Sequence, residues 1–181
     1  MTYLLDSNTC IRYLNGRAVG VLQRLHDTPV AEVVVCSIVK AELFYGAMRS
    51  VNPMRTLAQQ QDFLNHFVSP PFDDRAAEVY GRIRADLAKM GTPIGPNDLM
   101  IAAIALANDV TLVTHNTREF GRVADLRIED WEVLSDLYQW QCSITAPPTS
   151  AANRRARRGR VPASSQSPSG CRRSAPRATS P

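Results

Sequence analysis

Apolar residues in this chain fall into short unbroken runs separated by longer periodic stretches. Tyr3-Leu4-Leu5, Val33-Val34-Val35-Cys36 and Val110-Thr111-Leu112-Val113-Thr114 are brief and lack apolar–polar alternation. Such runs suit strands covered on both faces of a parallel sheet. Ala76, Tyr80, Ile83, Leu87 and Met90 recur at spacings of four, three, four and three, which is one helical stripe. Asp73 or Asp74 can cap that helix and Gly91 can end it. Residues 97–108 are apolar nearly all round, which predicts a central buried helix, and Pro96 suits its first turn. The pattern predicts strands at 2–6, 33–36 and 110–114 and extended pieces at 67–69 and 128–134. It predicts helices at 8–15, 18–26, 38–49, 54–66, 74–90 and 97–108, with a helical turn at 117–121. Strands alternating with helices predict an α/β fold with a parallel sheet.

Charge divides the chain in two. Residues 1–140 hold 13 Lys and Arg against 17 Asp and Glu, a net of −4, whereas residues 141–181 hold 8 Arg and no acid, a net of +8. The overall +4 therefore belongs to the C-terminal part and is no evidence that the folded part binds nucleic acid. That part also has six of the twelve prolines and no aromatic residue, a composition that cannot bury enough surface to order itself. The expected organisation is a domain over 1–138 and a disordered basic tail over 139–181. The tail reads as a non-functional extension or as a nucleic-acid tether, through Arg154-Arg155 and Arg157-Arg158. The four cysteines form no CxxC pair, so buried or incidental thiols are expected. The longest apolar stretch, 99–107, is too short to cross a membrane, and no signal peptide is expected, since the first acid comes at residue 6. A reducing cytoplasm fits.

Polar residues that interrupt the apolar runs carry the candidate chemistry. Asp6 ends the first run, Glu42 lies inside the helix after the second, Asp98 opens the apolar helix, and Asn116 follows the last run. In open α/β sheets ligands collect beyond the carboxyl ends of the strands. If these positions converge, they form a set of oxygen ligands with no lysine nearby in sequence, which calls for a divalent cation and points to metal-assisted phosphodiester chemistry. Each residue also has a plain structural reading. Asp6 and Asp98 can cap helices, Asn8 can start one, Ser37 can cap the next, and Asn116 can cap the turn at 117–121. His115 beside a strand end reads as structural. Arg118 can meet a phosphate or a surface acid, and Glu119 can be a further acid of the site.

Four segments taken together resemble the blocks of PIN domains, and among them the VapC toxin group. These are Leu4-Leu5-Asp6-Ser7-Asn8, Ala41-Glu42 through Gly46, Gly95-Pro96-Asn97-Asp98-Leu99-Met100-Ile101-Ala102-Ala103, and Val113-Thr114-His115-Asn116-Thr117-Arg118-Glu119-Phe120. Leu126-Arg127-Ile128-Glu129-Asp130-Trp131 is similar to that group's ending. The resemblance spans residues 2–134. It implies a three-layer PIN-like fold with a central, mainly parallel sheet flanked by helices. It implies an endoribonuclease dependent on Mg²⁺, or Mn²⁺, that cuts structured RNA (tRNA or rRNA) and leaves a 5′-phosphate. It implies a toxin inhibiting translation, a VapB-like antitoxin whose C-terminal segment occupies the acidic cleft, and a toxin homodimer. The family's acids fall on Asp6, Glu42 and Asp98, with Asp6 and Asp98 as metal ligands, and its fourth position, often Asp, falls on Asn116.

Two other readings stay in view. Phosphatases of the haloacid dehalogenase type also open with a strand ending in Asp. That chemistry wants a second Asp two residues on, where this chain has Asn8, and a downstream Lys that the final blocks lack. A catalytically silent PIN-like RNA-binding module is the other, and loss of an acid would mark it.

Overall fold

The computed structural model describes residues 1–133. The tail over 139–181, with Cys142 and Cys171, lies outside the described residues.

Four short strands form one sheet in the order β2-β1-β3-β4, and every neighbouring pair is parallel. They are β1 (Tyr3–Leu5), β2 (Val33–Val34), β3 (Thr111–Val113) and β4 (Ile128–Glu129). Leu4 pairs with Val34 on one side and Leu112 on the other, so β1 is interior. That explains the unbroken apolar run: Leu4 and Leu5 are wholly buried, and each such side chain contributes roughly 1.5–3 kcal/mol by leaving water. Residues 67–69 supply only one parallel bridge, Val68 to Val34. The expected strands at 33–36 and 128–134 are each two residues long. Beyond Val34 the backbone instead bonds outward, Val35 N to Val68 O and Ser37 N to Pro70 O.

Seven α-helices flank this sheet among the described residues: α1 (Ser7–Leu14), α2 (Val19–Asp27), α3 (Ser37–Met48), α4 (Pro53–Leu64), α5 (Asp74–Lys89), α6 (Pro96–Ala107) and α7 (Thr117–Phe120). The α/β class read from the pattern therefore holds. In α6, Leu99, the run Ile101 to Ala105, and Ala107 are buried, as expected for a central helix. Asp73 caps α5 by accepting from the Ala76 amide at 2.9 Å. The α5 stripe buries Ala76, Ile83 and Leu87, but its last member, Met90, is exposed because the helix has ended at Lys89. Gly91 follows with φ of 68°, the left-handed turn that Gly tolerates.

In this order the connections after β1 and β3 leave in opposite directions, so a crevice opens between the carboxyl ends of these two strands. That is the crevice where α/β proteins gather functional groups.

Candidate active site

Asp6 is the first residue beyond β1, and it is 1% exposed. Its backbone still belongs to the sheet, donating to Val113 O at 3.0 Å. Its carboxylate Oδ1 accepts from the Ser7 amide at 2.7 Å and, more distantly, from the Ser7 hydroxyl. Its Oδ2 accepts from the Thr114 hydroxyl at 2.9 Å. Asp6 thus caps α1 and also stands at the strand end, so its two sequence readings are not exclusive. Burial pushes its pKa up, and the bonds from Thr114 and Ser7 oppose that rise.

Glu42 arrives from the third helix. Its Oε1 accepts from the Asn97 amide at 2.8 Å, while its Oε2 is buried and has no hydrogen-bond partner. Asp98 sits in the first turn of α6 but caps nothing, because Gly95 holds the cap position without a side chain. Asn116 likewise occupies the cap position of α7 without making a side-chain cap bond. Its Nδ2 instead reaches Asp98 Oδ2 at 3.4 Å, and its own amide donates to the Thr114 hydroxyl at 3.0 Å. Both structural readings give way to a contact between two residues of the candidate site. Asp98 is pushed up to about 7, first by burial, then by the charge of Asp6, by a hydrogen bond and the charge of Glu119, and by the charge of Glu42. Four acids from four separate stretches of chain therefore feel one another.

The PIN domain profile matches residues 3–126. The tRNA(fMet)-specific endonuclease VapC of Salmonella typhimurium is 39% identical over 131 residues, covering 72% of this chain and 98% of its own. Ribonuclease VapC2 of Rickettsia felis is 34% identical over 133 residues, covering 73% and 99%. This chain belongs to the PIN-domain family of VapC ribonucleases. Among solved structures, the DNA-bound VapBC complex from Salmonella typhimurium matches with a TM-score of 0.69 at 39% identity, covering 72% of this chain and 98% of that one. VapBC2 of Rickettsia felis, bound to a promoter DNA fragment, matches with a TM-score of 0.68 at 34% identity, covering 72% and 99%.

PIN-domain ribonucleases depend on a divalent metal, and the residues of this PIN domain fit one. The donors are all oxygen or amide groups, as hard cations prefer. The buried Glu42 Oε2 lacks a partner, which leaves an acceptor for a cation or its water. Asp98 is raised first by burial and then by the charges of Asp6, Glu119 and Glu42, and a cation would offset that shared negative charge. Among the described residues, no three acid, histidine or cysteine side chains close into a ready cage. Mg²⁺ does not need one, since it keeps several waters and binds through one or two carboxylates.

The remaining candidates sort by their contacts. His115 Nδ1 lies 2.9 Å from Asp130 Oδ2, tying the β3–α7 loop to the segment after β4, the structural role expected of it. Arg118 is exposed and forms no ion pair among the described residues. Asn8 is an exposed residue of α1, and Asp6 holds the cap position, so Asn8 does not start the helix. Ser37 is the first helical residue of α3 after Cys36, and α3 has no side-chain cap, so its expected capping role is not found. Gly46 leaves open space one turn beyond Glu42, in a cavity of about 290 Å³ lined by Ile11, Leu14, Leu43 and Gln60 among others. Cys10 and Cys36 are free and buried, as expected, and burial pushes Cys36 up to about 11.

Sequence reasoning missed two residues. Thr114, wholly buried, donates to Asp6 and accepts from the Asn116 amide, joining two site residues through one hydroxyl. A hydroxyl at the end of an apolar run was the available signal. Asn97 was the other, and nothing in its local sequence marks a bond to a residue 55 positions away.

Proposed function

We propose that this chain is a Mg²⁺-dependent endoribonuclease, the toxin of a type II toxin–antitoxin pair, acting on structured RNA such as tRNA or rRNA to inhibit translation. The observation that carries the reading is the convergence of Asp6, Glu42, Asp98 and Asn116 without a basic side chain paired to any of them among the described residues. The named relatives support RNA as substrate, because one is a tRNA(fMet)-specific endonuclease. Matches to VapBC complexes support an antitoxin partner of the VapB kind. The working form is a homodimer in the cytoplasm. No described helix is long and apolar enough to cross a membrane. The nuclease domain is assigned to residues 1–138, and the basic segment 139–181 is assigned no part in the chemistry.

Asp6 and Asp98 would hold the cation, with Asp6 fixed by three donors and Asp98 carried on α6. When bound, the cation supplies Lewis acidity that activates water and offsets phosphate charge. Glu42 presents its free oxygen to water and takes its proton. Asn116 orients water or metal through its amide. Asn in place of a fourth carboxylate lowers the charge of the site by one, which favours a single tightly held metal.

A metal-dependence assay on RNA tests this reading. Cleavage that needs Mg²⁺ or Mn²⁺ and stops with chelator supports it. Binding without cleavage at any metal concentration would favour the silent module, and hydrolysis of phosphomonoesters alone would favour the phosphatase. Expression of the chain alone should slow growth through translation, and co-expression of the antitoxin should relieve it. A folded chain that is harmless in cells yet cleaves RNA would end the toxin reading only.

A further inference from the structure

Asp6, Glu42 and Asp98 each accept from a neutral donor, but the donors differ in what they leave free. The two Asp6 oxygens are held by Ser7 and Thr114, both local to the strand ends. Glu42 is the long, flexible member, and it reaches the site from a helix face. An unrestrained glutamate samples many rotamers, so its placement needs a partner. Asn97 supplies that partner. It stands in the first turn of α6, immediately before Asp98, and its Nδ2 lies 2.8 Å from Glu42 Oε1. The other oxygen, Oε2, is buried with no partner. A neutral amide fixes the carboxylate without cancelling its charge, whereas Lys or Arg there would compete with a cation.

We infer that Asn97 is a positioning residue: its amide commits one Glu42 oxygen and so turns the other towards the cation and water of the site. The inference rests on the metal-nuclease reading above. It also joins α3 to α6, so Glu42 and Asp98 keep their relative placement through one hydrogen bond. Partners one step removed from a metal commonly govern affinity by 10- to 100-fold. Asn97 is exposed, so the lower end of that range applies.

The test uses the full chain and Mn²⁺ itself, followed by electron paramagnetic resonance of the free ion, beside RNA cleavage kinetics. Asn97→Ala should weaken Mn²⁺ binding about tenfold and lower kcat, with KM for RNA nearly unchanged. Asn97→Ser, too short to reach Glu42, should match it, which guards against a folding defect in one variant. Asn97→Gln keeps an amide and should recover part of the loss. In a Glu42→Gln background, Asn97→Ala should add almost nothing. Unchanged Mn²⁺ affinity in Asn97→Ala and Asn97→Ser overturns the inference. So does a full penalty that persists beside Glu42→Gln, since the residue would then act through helix geometry or Asp98. If the wild-type chain binds Mn²⁺ but cuts no RNA, the nuclease reading fails and the Mn²⁺ titrations still decide the role of Asn97. A wild-type chain that binds no Mn²⁺ overturns both.

Discussion

Asp6, Glu42 and Asp98 form no ion pair with a basic side chain among the described residues, whereas Glu129, Asp130 and Glu132 each pair with one. Glu129 pairs with Arg24, Asp130 with His115, and Glu132 with Arg12 at 2.8 Å. The Trp131 indole also donates to Glu129, and Arg24 lies over the Trp131 ring, 5.1 Å from its centre. This second group is a clasp. It fastens the segment after β4 onto α1 and α2, and its Arg and His partners come from within the domain. The first group has none. The two acid sets differ in kind of partner, and that difference separates acids that hold the fold from acids that await an ion. Natural proteins tolerate crowded, unneutralised carboxylates chiefly where function requires them.

Removing one charge from the unneutralised set should have the largest effect. Asp98→Asn is expected to lower metal-dependent RNA cleavage by roughly 100-fold or more, with thermal stability unchanged or higher. Asp6→Asn should behave alike, and the double variant should be little worse than either, because the acids act as a unit through the cation. Steady-state cleavage at saturating Mg²⁺ and thermal melts in chelator measure both halves. Full activity in Asp98→Asn removes the site assignment. The pH dependence follows from the raised Asp98. Its ordinary value is 3.8 and in the fold it is pushed up to about 7. Between those values the folded chain holds a proton that the unfolded chain has released. Stability from this group is therefore fully present below about 4 and is lost as pH rises towards 7. In chelator, the stability of Asp98→Asn over wild type should grow across that window and then level off. A constant difference from pH 4 to 8 would contradict the raised value.

Breaking the clasp should cost stability and spare chemistry. A methyl group on Gly20 would meet Trp131 O at 2.3 Å, which is backbone and cannot yield easily. Gly20→Ala should cost about 1–3 kcal/mol through this overpacking. Arg24→Ala should cost about 1 kcal/mol, from a partly exposed ion pair and the contact with Trp131. Denaturant melts check both, and kcat at saturating metal, below the melting range, should stay within about twofold of wild type. A large fall in kcat would mean that the clasp also places site residues.

The contrast between the two sets was only half legible in the sequence. Asp6 and Asn116 were readable because strand ends in parallel sheets collect ligands, and Asp98 because it opens an apolar helix. The expected α/β class and the helix positions followed from periodicity, with ends shifted by one or two residues. What stayed hidden is what depends on contacts across the chain. Asp98 and Asn116 both read as caps, since local sequence cannot show that Asn116 turns away from its helix towards an acid 18 positions earlier. The segment Leu126 to Trp131 was legible only as a family-like ending, and the ion pairs of the clasp were not, because the Arg partners lie more than 100 positions away. The strands expected at 33–36 and near 128–134 are there, but each is only two residues long, because pairing across the sheet and not the apolar run sets their ends.

A smaller effect is expected on restoring the fourth carboxylate. Asn116→Asp adds one charge beside Asp98, and a charge at that separation in a wet site is worth on the order of 1 kcal/mol. Mn²⁺ affinity should rise by up to about tenfold, with cleavage retained. The bond from Asn116 Nδ2 to Asp98 is lost at the same time, so the chelated protein should melt lower than wild type. Weaker Mn²⁺ binding would show that the amide, and not the missing charge, is what the site uses.

The smallest effect concerns the source of a neutralising charge. The unpaired acids could draw arginines from elsewhere in the chain, and residues 141–181 carry 8 Arg and no acid. An arginine seated among Asp6, Glu42 and Asp98 would act as the clasp arginines do, and it would compete with the cation. A chain ending at Trp140 would then bind Mn²⁺ more tightly, melt lower in chelator and cut RNA faster at limiting metal. The composition of that segment argues otherwise, since it lacks the apolar residues needed to hold an arginine in place. Any attraction to the site is then diffuse and screened within about 10 Å at 0.1 M salt. Truncation at Trp140 should leave melting temperature, Mn²⁺ affinity and cleavage rate unchanged at moderate salt. Tighter metal binding on truncation, abolished by raising the salt, would place the tail's arginines at the acids and make this protein its own inhibitor.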